Sequence, residues 1–369
     1  MTHYRPILPW FSPYVGKEEE TRLISVIRSG FINDGPVTRE FEKAVAELVD
    51  VSYCVAVTSG TAAIALALIG LGVGAEDEVL VPDLTFVATA NAVRMTGATV
   101  KLIDVEPGRL TLDPTRVEEA IGPRTRAIVP VDVNGRGANY EKIEALAHQY
   151  DLKVVCDSAE AIGSFYGGRP LGSYGNAGCF SFSPNKLVTT GQGGVIATKD
   201  VSLYHRLLEL KDQGRRERGT GGDDLHPVLG FNFKFTDLQA AVGLAQLERL
   251  AERCRKAVER DGWYRQLLAD VSGIEFPDLC GGQPGEVHGW TDILVSARDR
   301  VRRALDGAGI GHRAFWFPLH TQGPYRGLVD RFPVAQQLSD RGLWLPSAFD
   351  ITEADVERVV AVFKGIQLI

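Results

Sequence analysis

Short apolar segments alternate with longer amphipathic segments along the first 250 residues of the chain. Short continuous apolar runs are typical of strands that are buried on both faces, and the intervening segments carry apolar residues at helical spacing. The predicted strands cover residues 53–57, 78–81, 100–104, 127–133, 153–156, 179–182 and 195–198. The predicted helices cover residues 17–29, 37–49, 62–71, 85–95, 114–121, 140–150, 203–211 and 237–250. This alternation predicts an α/β fold with a mainly parallel sheet between helices.

The pattern weakens near residue 250. Beyond it, the predicted elements are a helix at 301–309, a strand at 312–317 and a terminal helix at 352–365. We therefore expect a large domain over residues 1–250, including an irregular N-terminal arm, and a smaller α+β domain over residues 251–369. The boundary falls within the long helix that a capping box at Thr236 and Gln239 begins. The charged, glycine-rich loop at 213–224 is expected to be mobile.

Composition narrows the classes of function. The 369 residues include 47 acidic and 40 basic ones, and this net charge of −7, without a basic run, argues against a nucleic-acid partner. Five dispersed cysteines and seven dispersed histidines indicate neither a disulfide framework nor a metal site, and they favour the reducing cytoplasm. We expect no secretory signal and no membrane partner, because the longest apolar run, 62–74, contains three glycines and is too short to span a bilayer.

One lysine stands between two predicted strands. Lys186 lies in a Ser/Thr/Gly-rich loop that connects strands 179–182 and 195–198. Burial there would lower the pKa of the lysine, and a desolvated amine can form a Schiff base with a carbonyl group. Glycines at positions 191, 193 and 194 allow the backbone to approach a bulky group closely. The alternative is an exposed lysine on a hairpin loop.

A second motif follows the first strand. Ser59, Gly60 and Thr61 connect strand 53–57 to an Ala/Leu-rich helix. The free N–H groups and the positive end of a helix that begins in this way bind phosphate groups. The alternative is an ordinary N-cap by Ser59 or Thr58.

Two acidic residues follow another strand. Asp157 comes directly after strand 153–156, at the edge of the sheet where ligands of open α/β sheets bind. A buried aspartate at this position can hold a protonated heterocyclic nitrogen, and it can alternatively cap the next helix. Glu160 either faces the same pocket or completes an ordinary helix start.

These motifs stand in an order that resembles the fold-type I pyridoxal-phosphate (PLP) enzymes. More narrowly, the chain resembles the sugar aminotransferases of the DegT/DnrJ/EryC1/StrS family, in particular the perosamine-synthase-like branch. The matching segments are 59–61, 81–91, 123–130, 157–160, 178–182 with Lys186, 230–241 and 317–320. The resemblance covers almost the whole chain, and it implies a large PLP-binding domain followed by a smaller α+β C-terminal domain.

The resemblance implies a role for each matching residue. Lys186 would carry the cofactor as a Schiff base and then move the proton, while Asp157 would pair with the pyridine nitrogen. Phe86 would stack on the cofactor ring, and Glu160 would lie near its 3-oxygen. The cofactor phosphate would be held by Gly60, Thr61 and Ser181, with Ser59 beside them, and Asn232 would reach the cofactor of a neighbouring subunit. The last role implies a homodimer with shared active sites.

The implied activity is transfer of an amino group from glutamate to a keto-deoxysugar, such as a nucleotide-linked 4-keto-6-deoxyhexose, with pyridoxamine phosphate as the intermediate cofactor form. Such a product belongs to polysaccharide or antibiotic biosynthesis. The alternatives are a keto-sugar without a nucleotide, a cyclitol ketone, a pyridoxamine-dependent sugar dehydratase, and a regulatory protein of this fold. Dehydratases of the family carry His in place of the lysine, so Lys186 favours transamination.

The substrate contacts are less specific. Asn33, Arg313 and His320 are candidates for contacts with the sugar or the amino donor, and surface or packing roles are the alternative for each. Relatives usually have Val-His-Leu-Tyr-Gly where this chain has Val-Asp-Val-Asn-Gly at 131–135. This departure, with Asp132 in place of His, affects the expected substrate subclass and leaves the cofactor chemistry unchanged.

Overall fold

A computed structural model describes residues 7–216, 224–277, 285–327 and 331–366. The strands are β1 (Tyr53–Val57), β2 (Glu78–Pro82), β3 (Thr99–Ile103), β4 (Thr125–Ile128), β5 (Lys153–Asp157), β6 (Phe165–Tyr166), β7 (Arg169–Pro170), β8 (Ala177–Ser181), β9 (Gly194–Thr198), β10 (Ile274–Glu275), β11 (Asp292–Val295), β12 (Arg313–Ala314) and β13 (Gly342–Trp344). The α-helices are α1 (Lys17–Ser29), α2 (Pro36–Leu48), α3 (Gly60–Gly70), α4 (Ala88–Met95), α5 (Pro114–Ala120), α6 (Tyr140–Tyr150), α7 (Val201–Lys211), α8 (Asp237–Glu248), α9 (Leu250–Leu268), α10 (Arg298–Gly307), α11 (Pro333–Arg341) and α12 (Glu353–Lys364).

The larger sheet has the strand order β1-β9-β8-β5-β4-β2-β3 within the described residues. Strands β8, β5, β4, β2 and β3 run parallel, and β9 runs antiparallel to both of its neighbours. The prediction of a mainly parallel sheet is therefore confirmed. Because the parallel strands all end at one edge, the residues that follow β5 and β8 meet there.

Both faces of this sheet are buried. Along β1, Val55 and Val57 join one apolar core, while Cys54 and Ala56 join the core on the opposite face. Helix α3 is apolar on all sides and packs against β8 and β9, as well as against α4 and α7. A helix with no polar face has to be enclosed by other elements. Its burial holds the N-terminus of α3 beside the ends of the central strands.

The smaller sheet has the order β10-β11-β13-β12 and is antiparallel throughout its described strands. A separate apolar core covers it, built by residues of α9, α10 and α12. The expected α+β character of the C-terminal part agrees with this arrangement, while the division at residue 250 stays a prediction.

Several predicted elements differ in extent from the observed ones. The apolar run 127–133 is a regular strand only through Ile128; beyond it Val131 forms an isolated bridge with Asp157, and Asn134 adopts a left-handed turn with φ of 52°. The helix predicted to reach residue 250 ends at Glu248, and α9 begins at Leu250. The strand predicted at 312–317 is limited to β12. Most of the loop at 213–224 lies outside the described residues.

Candidate active site

A cavity of about 410 Å³ opens where β5, β8 and the N-terminus of α3 meet. Its walls come from both sheets and from the loop between β8 and β9. The lining residues include Ser59, Gly60, Thr61, Thr85, Phe86, Thr89, Asp157, Glu160, Ser181, Lys186, Trp290, Arg313, Trp316 and Trp344. These residues come from segments that are far apart in the chain, so the fold brings separate segments to one space.

Lys186 lies in this cavity. Its side chain is 12% exposed, so the alternative of a freely exposed hairpin lysine is wrong. The Nζ atom donates to Oε1 of Glu160 at 3.0 Å and lies 5.1 Å from the centre of the Trp290 ring. An amine held by one carboxylate and one aromatic face has a fixed direction, and it remains on the wall of a cavity that admits a substrate.

Asp157 lies on another wall of the same cavity, at the last position of β5. Its Oδ2 accepts from the Thr89 hydroxyl at 2.7 Å, and its Oδ1 accepts from the Ala159 N–H at 3.2 Å. Burial raises the pKa of this carboxyl to about 6, because the charged form is desolvated. No regular helix follows Asp157 among the described residues, so the helix-cap alternative is not supported.

The start of α3 forms a polar cradle. Gly60 is the first residue of the helix, and a Cβ atom there would lie 2.8 Å from Cβ of Ser181, so only glycine fits without displacement. The Ser59 hydroxyl caps the helix by accepting from the Ala62 N–H at 3.2 Å, as the alternative interpretation required. Ser59 and Thr61 also line the cavity, so the capped helix end faces it.

Glu160 connects the lysine to a neighbouring turn. Its Oε1 accepts from Lys186, and its Oε2 accepts from the backbone N–H of Asn134 at 3.0 Å. The Asn134 amide in turn donates to the Trp290 carbonyl at 2.7 Å and accepts from the Trp290 N–H at 3.0 Å. Asn134 thus connects Glu160 to Trp290, whose ring lies next to the Lys186 amine.

The remaining wall is aromatic. Phe86 is 51% exposed and lines the cavity, and its stacking on the cofactor ring stays a prediction. Trp290, Trp316 and Trp344 line the same cavity. The sequence analysis did not identify these tryptophans or Asn134, although four of the five tryptophans of the chain cluster here when Trp10 is included.

Three predicted site residues lie elsewhere. Asn232 is exposed on the surface of the described chain, and its backbone forms an isolated antiparallel β-bridge with Asp212. Asn33 is also exposed, and its carbonyl accepts from the Asp237 N–H. His320 contacts Asp83 through Nδ1 at 2.7 Å. Their predicted roles remain predictions, while Arg313 does line the cavity.

Asp132 lies beneath the site and does not line the cavity. Its carboxylate accepts from the Ser158 hydroxyl at 2.6 Å, the Tyr140 hydroxyl at 2.7 Å and the Ala138 N–H at 3.3 Å. Burial raises the pKa of Asp132 to about 7. The residue that replaces the usual histidine therefore supports Ser158, the neighbour of Asp157 in the chain.

Comparison with known proteins places this site in a family. The model of the DegT/DnrJ/EryC1/StrS aminotransferase family matches residues 13–364. The chain belongs to the DegT/DnrJ/EryC1/StrS aminotransferase family. The predicted family and the predicted aminotransferase activity are thus confirmed.

Similar family members support this assignment. The chain is 39% identical to the GDP-perosamine synthase of Caulobacter vibrioides over 335 residues, which cover 89% of each protein. The solved structure of DesV from S. venezuelae, in complex with a ketimine intermediate, has a TM-score of 0.89 at 32% identity and 94% coverage of both chains. DesI, solved in the presence of its TDP-sugar product, has a TM-score of 0.89 at 31% identity, covering 98% of this chain and 92% of its own.

These likenesses also confirm the predicted fold-type I architecture. In the described parts of the chain, no helix combines the length and the apolar character that crossing a membrane requires.

Proposed function

We propose that this aminotransferase uses PLP to move an amino group from glutamate to the ketone of a nucleotide-linked keto-deoxysugar. The observation that carries the proposal is that the Lys186 amine and the Asp157 carboxylate line one cavity beside the N-terminus of α3. The similarity to a GDP-perosamine synthase supports a perosamine-type substrate, for example a 4-keto-6-deoxyhexose.

The residues of the cavity fit the cofactor. Gly60 lets the start of α3 approach Ser181 closely, and both residues line the cavity with Ser59 and Thr61, so the helix N-terminus and three hydroxyl groups are placed to hold a phosphate. Asp157 has backbone and hydroxyl donors but, among the residues that the structure describes, no cationic partner at hydrogen-bond distance, which suits a protonated ring nitrogen. Phe86 offers a face for stacking. When bound, the cofactor supplies an electron sink for the reacting carbon.

The reaction proceeds in two half-reactions, in which the protein binds the two substrates in turn and Lys186 transfers a proton. The CH–NH2 group of glutamate becomes the C=O group of 2-oxoglutarate, and the sugar C=O becomes CH–NH2, so the exchange needs no outside oxidant or reductant. Lys186 removes the proton from the donor carbon and later delivers a proton to the sugar carbon. Glu160 orients the amine through the 3.0 Å contact, and the three tryptophans limit the access of water.

A homodimer with shared sites belongs to this proposal. Asn232 is exposed on the described chain, as a residue that contacts a neighbouring subunit's cofactor would be before assembly. We also propose a cytoplasmic location, because the described cysteines Cys54, Cys156, Cys179 and Cys254 are all unpaired thiols.

The alternative functions make different demands on the site. A sugar dehydratase of this family would use His in place of Lys186, and a regulatory protein would tolerate loss of the lysine, Asp157 or the Gly60 cradle. All three features are intact here. Production of 2-oxoglutarate from glutamate in step with sugar amination would exclude both alternatives.

The experiment is a substrate screen. Purified protein loaded with PLP is incubated with glutamate and a panel of keto-sugar nucleotides, and products are detected by mass spectrometry. We expect an amino sugar and an equal amount of 2-oxoglutarate, and loss of at least 1,000-fold in rate for Lys186→Ala, on the order of the loss that follows removal of a reacting group. Amination by the Lys186→Ala protein at the wild-type rate would refute the proposal.

A further inference from the structure

Arg313 carries a positive charge on the cavity wall, and no carboxylate of the described chain forms an ion pair with it. The cavity is lined by two cationic side chains, Lys186 and Arg313, and by two acidic ones, Asp157 and Glu160. Glu160 is paired with Lys186, and Asp157 is bound by Thr89 and by the Ala159 N–H. Within the described ranges, Arg313 itself makes no ion pair.

The guanidinium group is held by aromatic rings. Its central carbon lies 5.3 Å from the centre of the Trp10 ring and 5.4 Å from that of the Trp344 ring. Arg313 in β12 is the direct cross-strand partner of Trp344 in β13, so their side chains share one face of the smaller sheet. This packing fixes the direction of the side chain, while leaving the N–H groups of the fork available to a ligand.

A half-buried guanidinium group without an anionic partner is expected to bind an anion. Burying an unpaired charge is costly, and a planar fork of N–H donors matches the two oxygens of a carboxylate or phosphate. We propose that Arg313 binds an anionic oxygen group of a substrate in this cavity, either a carboxylate of the amino donor or a phosphate of the sugar nucleotide. The proposal rests on the function proposed above for the choice of these two substrates.

The proposal makes Arg313 a specificity residue for the transamination. An anion bound at Arg313 would anchor one end of the substrate, while its amine or ketone reaches Lys186 in the same cavity. Anchoring of this kind lowers the dissociation constant and affects the chemical step less. Loss of the charge should therefore weaken binding and leave the maximal rate closer to its wild-type value.

The variants separate charge from packing. Arg313→Gln removes the charge and keeps much of the length that packs between the tryptophans, and Arg313→Lys keeps the charge without the planar fork. The matched control is Arg249→Gln. Arg249 also stacks on an aromatic ring, at 4.4 Å from the centre of Tyr14, and it pairs with Glu252 away from the cavity.

Equilibrium binding is measured first, with the unreactive anions glutarate and pyrophosphate on the PLP-loaded protein. Tryptophan emission reports binding because Trp10 and Trp344 flank the guanidinium group. We expect Arg313→Gln to raise the dissociation constant of at least one anion by about 10-fold or more, which is the usual effect of losing a charge-assisted hydrogen bond. The dissociation constant of Arg313→Lys should lie between those of the wild type and Arg313→Gln. The dissociation constant of Arg249→Gln should match that of the wild type.

The two half-reactions then identify the source of the anion. If Arg313 binds the donor carboxylate, Arg313→Gln raises the half-saturating glutamate concentration in the first half-reaction. If it binds the nucleotide phosphate, the same variant raises that of the sugar nucleotide in the second half-reaction. Equal behaviour of Arg313→Gln and Arg249→Gln in all these measurements would overturn the proposal. An Arg313-dependent affinity for anions in a protein that aminates no sugar would instead refute the proposed function and leave the anion site standing.

Discussion

Two buried aspartates, Asp157 and Asp132, lie close together and serve different purposes. Asp157 lines the cavity, and its pKa is raised to about 6 by burial. Asp132 is enclosed by Ser158, Tyr140 and Ala138, and burial raises its pKa to about 7. The carboxylate that faces the cavity is available to a cationic ring nitrogen, whereas the enclosed one only organises its neighbours.

Asp132 should make the stability of the protein depend on pH. Its pKa is about 7 in the folded protein and near 3.8 in the unfolded chain, so the folded state binds more protons between these values. Stability from this group is therefore complete below about pH 4 and is lost as the pH rises to about 7, by up to about 1.4 kcal/mol per pH unit. Chemical denaturation should show that Asp132→Asn flattens this slope.

The exposed Asp151 provides the control for this measurement, because its side chain is 90% exposed. Asp151→Asn should keep the wild-type slope. A slope for Asp132→Asn equal to that of the wild type would show that Asp132 does not titrate in this range.

Gly60 should be required for cofactor binding. Gly60→Ala places a methyl group 2.8 Å from Cβ of Ser181 and forces the cradle open, so we expect PLP affinity to fall by about 10-fold or more. The control is Gly262→Ala in the middle of α9, where a Cβ atom meets nothing within 4 Å and should add about 0.5–1 kcal/mol of stability. Absorbance titration with PLP measures the affinity of both variants, which should be unchanged in Gly262→Ala, and chemical denaturation measures the stability of Gly262→Ala. Unchanged affinity in Gly60→Ala would exclude a tight phosphate cradle.

At the scale of the elements, the turn after β4 joins the two sheets through side chains. Asn134 binds both backbone groups of Trp290, and Arg136 forms a bidentate ion pair with Asp292 at 2.7 Å for each contact. Both residues of this ion pair are buried. The turn therefore fixes the position of Trp290 relative to Glu160 and Lys186.

Asn134→Gly tests this arrangement without straining the backbone, since φ of 52° suits glycine. The backbone N–H to Glu160 is kept, and the three side-chain contacts are lost. We expect the rate of the first half-reaction to fall by about 3- to 30-fold, the equivalent of roughly 0.7–2 kcal/mol, with a shifted pH profile because Glu160 is less well oriented.

The matched control is Asn139→Gly, which removes an N-cap of α6 away from the cavity. It should retain the wild-type pH profile, because glycine replaces an N-cap at small cost. If both variants show the same profile, Asn134 has only a structural role.

The sequence predicted those site residues that follow a strand with a recognisable apolar pattern. Lys186, Asp157 and Gly60 each follow a strand with a clear apolar pattern, and parallel strands end at one edge, so their meeting could be expected. Trp290, Trp344 and Asn134 had no such signal. They reach the site through the smaller sheet and through an irregular turn, and both depend on contacts between residues more than 100 positions apart.

At the scale of the whole molecule, the proposed dimer makes each active site depend on two chains. Lys186 belongs to the cavity of its own chain, whereas Asn232 lies on the surface, where a neighbouring subunit can be reached. The proposal therefore distinguishes residues that act within a chain from one that acts across the interface.

Subunit mixing tests the shared site. Lys186→Ala and Asn232→Ala proteins are each expected to have little activity alone. If Asn232 serves the neighbouring cavity, a mixed dimer has one site with both defects and one intact site, so random mixing should restore about a quarter of wild-type activity. Activity is measured after mild dissociation and reassociation. No recovery in verified mixed dimers would place Asn232 in the cavity of its own chain.

Isotope transfer tests the central claim most directly. PLP-loaded protein receives ¹⁵N-glutamate and the keto-sugar nucleotide that the screen identifies, and mass spectrometry follows the label. The account predicts that the ¹⁵N appears on the sugar with an equal amount of 2-oxoglutarate, and that Lys186→Ala transfers none at the same protein concentration. Label that stays in glutamate with the wild-type protein, or that reaches the sugar as fast with Lys186→Ala, would contradict it.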